Sequence, residues 1–345
     1  MDMKEYGLTP NMIPENTTGI PARVTAVHKE RFELICEHGE VSGVLKSKEY
    51  YYDYREFPTA GDFVMIDYVT NGDCRITETL PRKSFCSRRN PTPGQGAQAV
   101  AANFDYVFIM QSLNKDFNER RLERYLTLAW QSGAFPVVVL TKADLLEDNS
   151  EYIRAAERIA PGVPVYAVSS STGYGLDALG EFVKPEKTLV FLGSSGVGKS
   201  SLVNALAGEE IMAVNSIRED DSKGRHTTTH RQLIMLKNGA MIIDTPGMRE
   251  LGMWEASSGL TETFSDVEQY IGKCRFRDCT HQSEPGCAIK AAIESGELSP
   301  ERFRSYENLK KEAAYSADSE DYLRHKQEWH KGISKYLKQR KKEIW

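Results

Sequence analysis

A chain of 345 residues is longer than one ordinary core organises and suits two or three domains. Its hydrophobic fraction of 40% and charged fraction of 27% are those of a soluble globular protein, with no apolar run near the roughly 18 residues of a membrane span. A net charge of −5 excludes coating nucleic acid by bulk charge, and an acidic start without an apolar core reads unlike a secretory leader. A cytoplasmic monomer with no membrane contact is expected.

From Ile20 to Leu80 short alternating runs predict strands: Ala22–Val27, Phe32–Cys36, Val41–Leu45, Asp62–Val69 and Cys74–Thr79. His38-Gly39 and Asn71-Gly72 supply turns between them. Such runs suggest a small closed barrel of the OB type over 1–84, a frequent oligonucleotide binder. Tyr50, Tyr51, Tyr52, Tyr54 and Phe57 would either stack on bases or pack the barrel. Residues 85–103 then read as a Pro/Gly linker, part of an acid-free stretch from Pro81 carrying Arg82, Lys83, Arg88 and Arg89.

Residues 104–252 alternate buried strand runs with helical stretches, the pattern of a doubly wound parallel sheet. Val107–Met110, Val137–Leu140, Val163–Val168, Thr188–Leu192 and Met241–Asp244 are the predicted strands. Glu119–Gln131 places Leu122, Tyr125, Leu126 and Ala129 on one helical face. The remainder, 253–345, is a Cys/His cluster followed by charged helical sequence, with eight Lys/Arg against two acids from Tyr322 to Trp345.

Gly193-Ser194-Ser195-Gly196-Val197-Gly198-Lys199-Ser200 follows a predicted strand and opens a helix, the context a phosphate-binding loop requires. The glycines let backbone N–H groups face phosphate oxygens, Lys199 reaches the outer phosphates, and Ser200 ligates Mg²⁺. Thr141-Lys142-Ala143-Asp144 closes the preceding strand and looks like the guanine-specificity motif. The Asp144 carboxylate accepts from both the ring N–H and the exocyclic amine of guanine, donors that adenine lacks as a pair. Lys142 would lay its stem over the base. Ser169-Ser170-Ser171-Thr172-Gly173 resembles the loop whose N–H groups meet the guanine carbonyl.

Asp244-Thr245-Pro246-Gly247 resembles the Asp-x-x-Gly switch, with Asp244 holding Mg²⁺ through water and the Gly247 N–H sensing the γ-phosphate. Between it and the phosphate loop lies a polar stretch, Asn215 to His230, where a Mg²⁺-binding threonine is expected among Thr227, Thr228 and Thr229. Met248 stands where many GTPases place a water-orienting glutamine, so slow intrinsic hydrolysis is expected, with His226 the candidate for positioning water. Cys274-x4-Cys279-x-His281-x5-Cys287 offers three thiolates and an imidazole, suited to one tetrahedral structural Zn²⁺. Cys36, Cys74 and Cys86 read as small core residues.

The motif order is unusual: Thr141–Asp144 precedes the phosphate loop and Asp244–Gly247 comes last, a circular permutation. A permuted GTPase between a β-barrel and this zinc pattern resembles the RsgA family, GTPases of small ribosomal subunit biogenesis. The resemblance implies an OB-fold domain, contact with the small subunit and its rRNA, subunit-stimulated GTP hydrolysis and a role in late maturation. It also implies nucleotide contacts by Thr141 to Asp144 and Gly193 to Ser201, and zinc on Cys274, Cys279, His281 and Cys287. Two other readings stay open: an RNA-binding scaffold with an inert nucleotide site, and a signalling GTPase unconnected with ribosomes.

Overall fold

The structure, a computed structural model, describes residues 1–15, 17–28, 31–46, 57–89, 97–114, 116–212, 231–244 and 257–315. Tyr50 to Tyr54, Thr227 to Thr229, His226, Gly247 and the basic stretch 322–345 lie outside the described residues.

The first five strands, β1 (Ile20–His28), β2 (Arg31–Cys36), β3 (Gly39–Leu45), β4 (Phe63–Asp67) and β5 (Cys74–Thr79), close on themselves. β1 pairs with β2, β2 with β3 and β4 with β5, all antiparallel. β3 and β5 run parallel, and β4 returns to β1 to complete the ring. This is the OB connectivity expected from the alternating runs. Register shifts at Val24/Ala26 and Met65/Ile66 supply the bends that closure needs. A Cβ at Gly43 would lie 2.6 Å from Leu34 Cδ1, so any larger residue there would displace that buried side chain. Cys36 and Cys74 belong to the barrel core with Val24, Phe32, Leu34 and Ile66.

β6 (Phe85–Arg89) and β7 (Ala97–Ala102) form a two-stranded sheet within the segment read as linker. The doubly wound sheet follows, with strands β8 (Tyr106–Ser112), β9 (Phe135–Thr141), β10 (Val165–Ala167), β11 (Thr188–Gly193), β12 (Gln232–Met235) and β13 (Met241–Asp244). Its order is β10-β9-β8-β11-β13-β12, parallel except for β12. Helices α1 (Glu119–Gln131), α2 (Ser150–Ile159) and α3 (Lys199–Ala207) connect its strands. Two-residue periodicity divides the strand side chains between two cores. Val107, Ile109, Val138, Leu140, Val190 and Leu192 pack with α1 and α2, whereas Phe108, Met110, Val137, Val139, Leu189 and Phe191 pack with Leu202 and Val203 of α3. Helix α1 spans the residues its periodicity predicts, capped by Asn118, whose side chain accepts the Arg121 N–H.

The barrel and this sheet form one unit, residues 1–88 with 99–251. β12 meets β1 at Gln232↔Ala26, and Arg23 clamps the junction. Its buried guanidinium donates to Gly61 O at 3.2 Å, Tyr6 O at 2.5 Å, Asn103 O at 3.0 Å and Thr188 Oγ1 at 3.0 Å. Burial lowers its pKa to about 10, so the group stays protonated at neutral pH and those acceptors replace its lost hydration.

Residues 89–98 with 252–345 form the second unit. It contains α4 (Ser257–Thr263), α5 (Ser265–Glu268), α6 (Ala288–Glu294) and a helix over 300–315. Arg302 grips both carboxylate oxygens of Asp266 at 3.0 Å and stacks on Phe264 at 4.2 Å.

Candidate functional site

Parallel pairing brings the carboxyl ends of β8, β9, β11 and β13 to one edge of the sheet, where ligands of such folds bind. Gly193 is level with Met110, and Ser112 with Thr141, so the loops leaving these strands are neighbours. The glycine-rich loop runs from the end of β11 into α3. Gly196 and Gly198 adopt φ of 69° and 99°, and Gly198 caps the helix, which directs the first α3 amides toward the loop's interior. Ser200 and Ser201 stand half-buried in the first turn of α3.

Two of the motifs predicted to share this edge are tied to the loop by bonds of their own, through Asp244 and through Thr141 with Lys142. Lys199 Nζ lies 2.5 Å from Oδ1 of Asp244, a buried carboxylate at the end of β13. Thr141 Oγ1 donates to Val197 O at 2.6 Å, and Lys142 Nζ donates to Gly196 O at 2.7 Å. Lys142 has φ 60°, the left-handed turn that ends β9, and the Ala143 N–H then donates to Val168 O at 3.1 Å. Beyond that contact Asp144 meets the serine loop. The Ser169 hydroxyl holds the Asp144 carboxylate below its usual pKa, helped by its own backbone N–H and by Ser171.

Ser169 Oγ in turn lies 2.9 Å from Ser171 Oγ, and Ser170 is half-buried beside it. Gly175 closes this loop at φ 71°, where a Cβ would lie 2.3 Å from Ala167 O. Thr141, Lys142 and Asp244 are thus tied to the glycine loop from strand ends far apart in sequence, while Asp144 meets Ser169 in the neighbouring loop. One participant was not predicted. Asp116, between β8 and α1, accepts the Ser194 hydroxyl at 2.6 Å and pairs with Arg121 Nη2 at 3.0 Å. Its signal was position alone, in the loop after the strand beside β11.

In the second unit, Cys274, Cys279, His281 and Cys287 place their ligand atoms within 4.8 Å of one another. Cys274 Sγ is 3.9 Å from Cys287 Sγ and 3.4 Å from His281 Nδ1, which lies 3.5 Å from Cys287 Sγ. Ligands of a tetrahedral zinc ion stand about 3.6–3.8 Å apart, so the donor set and its spacing fit that ion, and no cysteine here is disulfide-bonded. The Ala288 N–H donates to Cys274 Sγ at 3.4 Å. Burial would raise the pKa of Cys274, but that N–H together with the neighbouring thiols brings it below the ordinary value.

Comparison with known proteins matches this arrangement. The family described as RsgA GTPase matches residues 79–254. A Listeria monocytogenes protein, small ribosomal subunit biogenesis GTPase RsgA 1, is 48% identical over 320 residues, covering 92% of this chain and 91% of its own. A Methanosarcina acetivorans protein, small ribosomal subunit biogenesis GTPase RsgA, is 41% identical over 303 residues, covering 86% of this chain and 80% of its own. Among solved structures, YjeQ from Thermotoga maritima superposes with a TM-score of 0.63 at 27% identity, covering 84% of this chain and 96% of its own. YloQ, described as a circularly permuted GTPase, gives 0.58 at 25% identity, covering 86% and 96%.

Proposed function

Because this chain belongs to the RsgA family and is a GTPase of small ribosomal subunit biogenesis, we propose the following division of labour among its residues. Lys199 and the backbone N–H groups of Gly193 to Ser201 hold the phosphates of GTP. Asp144 reads the guanine edge, Lys142 covers the base, and the N–H groups at Ser169 and Ser170 meet its carbonyl. Ser200, Asp244 and a switch threonine, Thr228 or a neighbour, would hold Mg²⁺, which supplies charge neutralisation on the phosphates. Gly247 senses the γ-phosphate, and His226 orients the attacking water in the reaction stimulated by the small subunit. Cys274, Cys279, His281 and Cys287 would hold one structural Zn²⁺, leaving no open position for catalysis.

The barrel, with the basic segment beside it, contacts rRNA of the small subunit, and the protein works as a cytoplasmic monomer in late maturation. In this reading 1–84, 104–252 and 253–345 are the barrel, GTPase and zinc domains, with 85–103 the basic segment between the first two.

The observation that carries the nucleotide assignment is the joint anchoring of the glycine loop. Lys199 meets Asp244, while Thr141 and Lys142 meet Val197 and Gly196, so the phosphate grip and the base reader share one scaffold. The test is GTP turnover with and without purified small subunits, in the wild type and in His226→Ala. Stimulation of the wild type and its loss in the variant, with GTP affinity retained, are expected. Undiminished stimulation in the variant removes His226 from the mechanism. No phosphate release even with subunits present favours the scaffold reading.

A further inference from the structure

Between Cys279 and Cys287 the chain wraps around one carboxylate. Glu284 Oε1 accepts the Thr280 backbone N–H at 2.9 Å and the Thr280 hydroxyl at 2.5 Å. Its Oε2 accepts the N–H groups of Gln282 and Ser283, each at 3.1 Å. The amides immediately before and after His281 therefore end on the same side chain. His281 itself sits at φ 63°, in the left-handed region that disfavours any residue with a Cβ. A backbone held there needs an external restraint, and the turn sets the imidazole edge-on to Phe303 and against the thiols. It brings His281 Nδ1 within 3.4 and 3.5 Å of the Cys274 and Cys287 sulfurs.

We propose that Glu284 is a positioning residue of the metal centre, its carboxylate gathering the amides on both sides of His281 so that the imidazole faces the thiolates. The inference rests on the zinc reading above. The Thr280 hydroxyl and then the backbone amides hold the Glu284 pKa at about 2, so the anchor stays charged wherever thiolates bind metal. It acts on both ligands of this stretch, since Cys279 directly precedes Thr280. Glu284 touches no ligand atom among its described bonds; its influence passes through the main chain.

Full-length protein is compared with Glu284→Ala and Glu284→Gln by zinc competition against a chromophoric chelator, and by the visible spectrum after cobalt(II) substitution. Loss of an outer partner typically costs 10–100-fold in metal affinity, and that range is expected for Glu284→Ala. Glu284→Gln keeps one acceptor oxygen but turns an amide donor toward the loop, so it falls between. At saturating cobalt all three should give the same thiolate-rich tetrahedral spectrum, because the ligands are unchanged. Equal zinc affinities would overturn the proposal while leaving the metal reading intact. Variants that never reach the wild-type cobalt spectrum would also overturn it, assigning Glu284 to folding. A wild type that takes up no zinc would overturn the metal reading and this inference together.

Discussion

The nucleotide edge and the Cys/His cluster are built on opposite principles. The first is assembled from strand ends as distant as Asp116 and Ser194, or Lys199 and Asp244, and is held by a sheet whose packing exists for its own sake. The second takes all its ligands from Cys274 to Cys287, beside a helix as short as Ala288–Glu294. A distributed site inherits rigidity from hydrophobic cores on both faces of the sheet. A local one gathers three thiols and an imidazole within a single short stretch of chain, and the zinc ion proposed for it would add binding free energy to the folding of that stretch.

A single substitution should disable one site and spare the other. Lys199→Ala removes the ammonium proposed to meet the outer phosphates and should lower GTP turnover about 10²–10³-fold, with zinc content measured by atomic absorption unchanged. The converse is to strip the metal with a chelator. Proteolysis should then open residues 257–315, whereas GTP affinity of the first unit should change by under about twofold, the independence expected of uncoupled sites. Collapse of both properties together would show that the two sites depend on one another.

The contrast also explains what could be read from the sequence. The Cys/His spacing was complete in fourteen residues, and α1 announced itself through Leu122, Tyr125, Leu126 and Ala129, because both patterns are local. The nucleotide motifs were legible only because each closes a strand, and the sheet then made them neighbours. Asp116 and Arg23 were not legible. Arg23 bonds Thr188, 165 residues away, through partners with no periodicity, and nothing local marks a lone arginine as the clamp between barrel and sheet. The strands β6 and β7 hid in a segment whose Pro and Gly content reads as linker, since two short paired strands need no strong alternating pattern.

Within the nucleotide edge, Thr141 anchors the glycine loop to the end of β9. Thr141→Val keeps the shape of the strand end but deletes the hydrogen bond to Val197 O, which is worth about 1 kcal/mol. GTP affinity should fall roughly fivefold, with guanine preference over adenine retained, since Asp144 is untouched. A loss confined to guanine preference, measured by nucleotide competition, would mean that Thr141 supports the base reader and not the loop.

The smallest effect concerns Asp144 and has a definite sign. Its carboxylate is held below the usual range chiefly by the Ser169 hydroxyl, so the ionised form persists as pH falls past the value at which a free aspartate would protonate. Guanine binding that depends on that charge is therefore complete above the ordinary aspartate pKa and is lost only as pH drops through the lowered one. Ser169→Ala removes the largest cause, which moves the acid limb of GTP affinity toward higher pH without changing the neutral plateau much. Measured by fluorescent-nucleotide titration at a series of pH values, an acid limb that does not move would place the control of Asp144 elsewhere. A limb that moves while metal retention over the same range stays as in the wild type would show the distributed site being tuned by one hydroxyl, independently of the compact cluster.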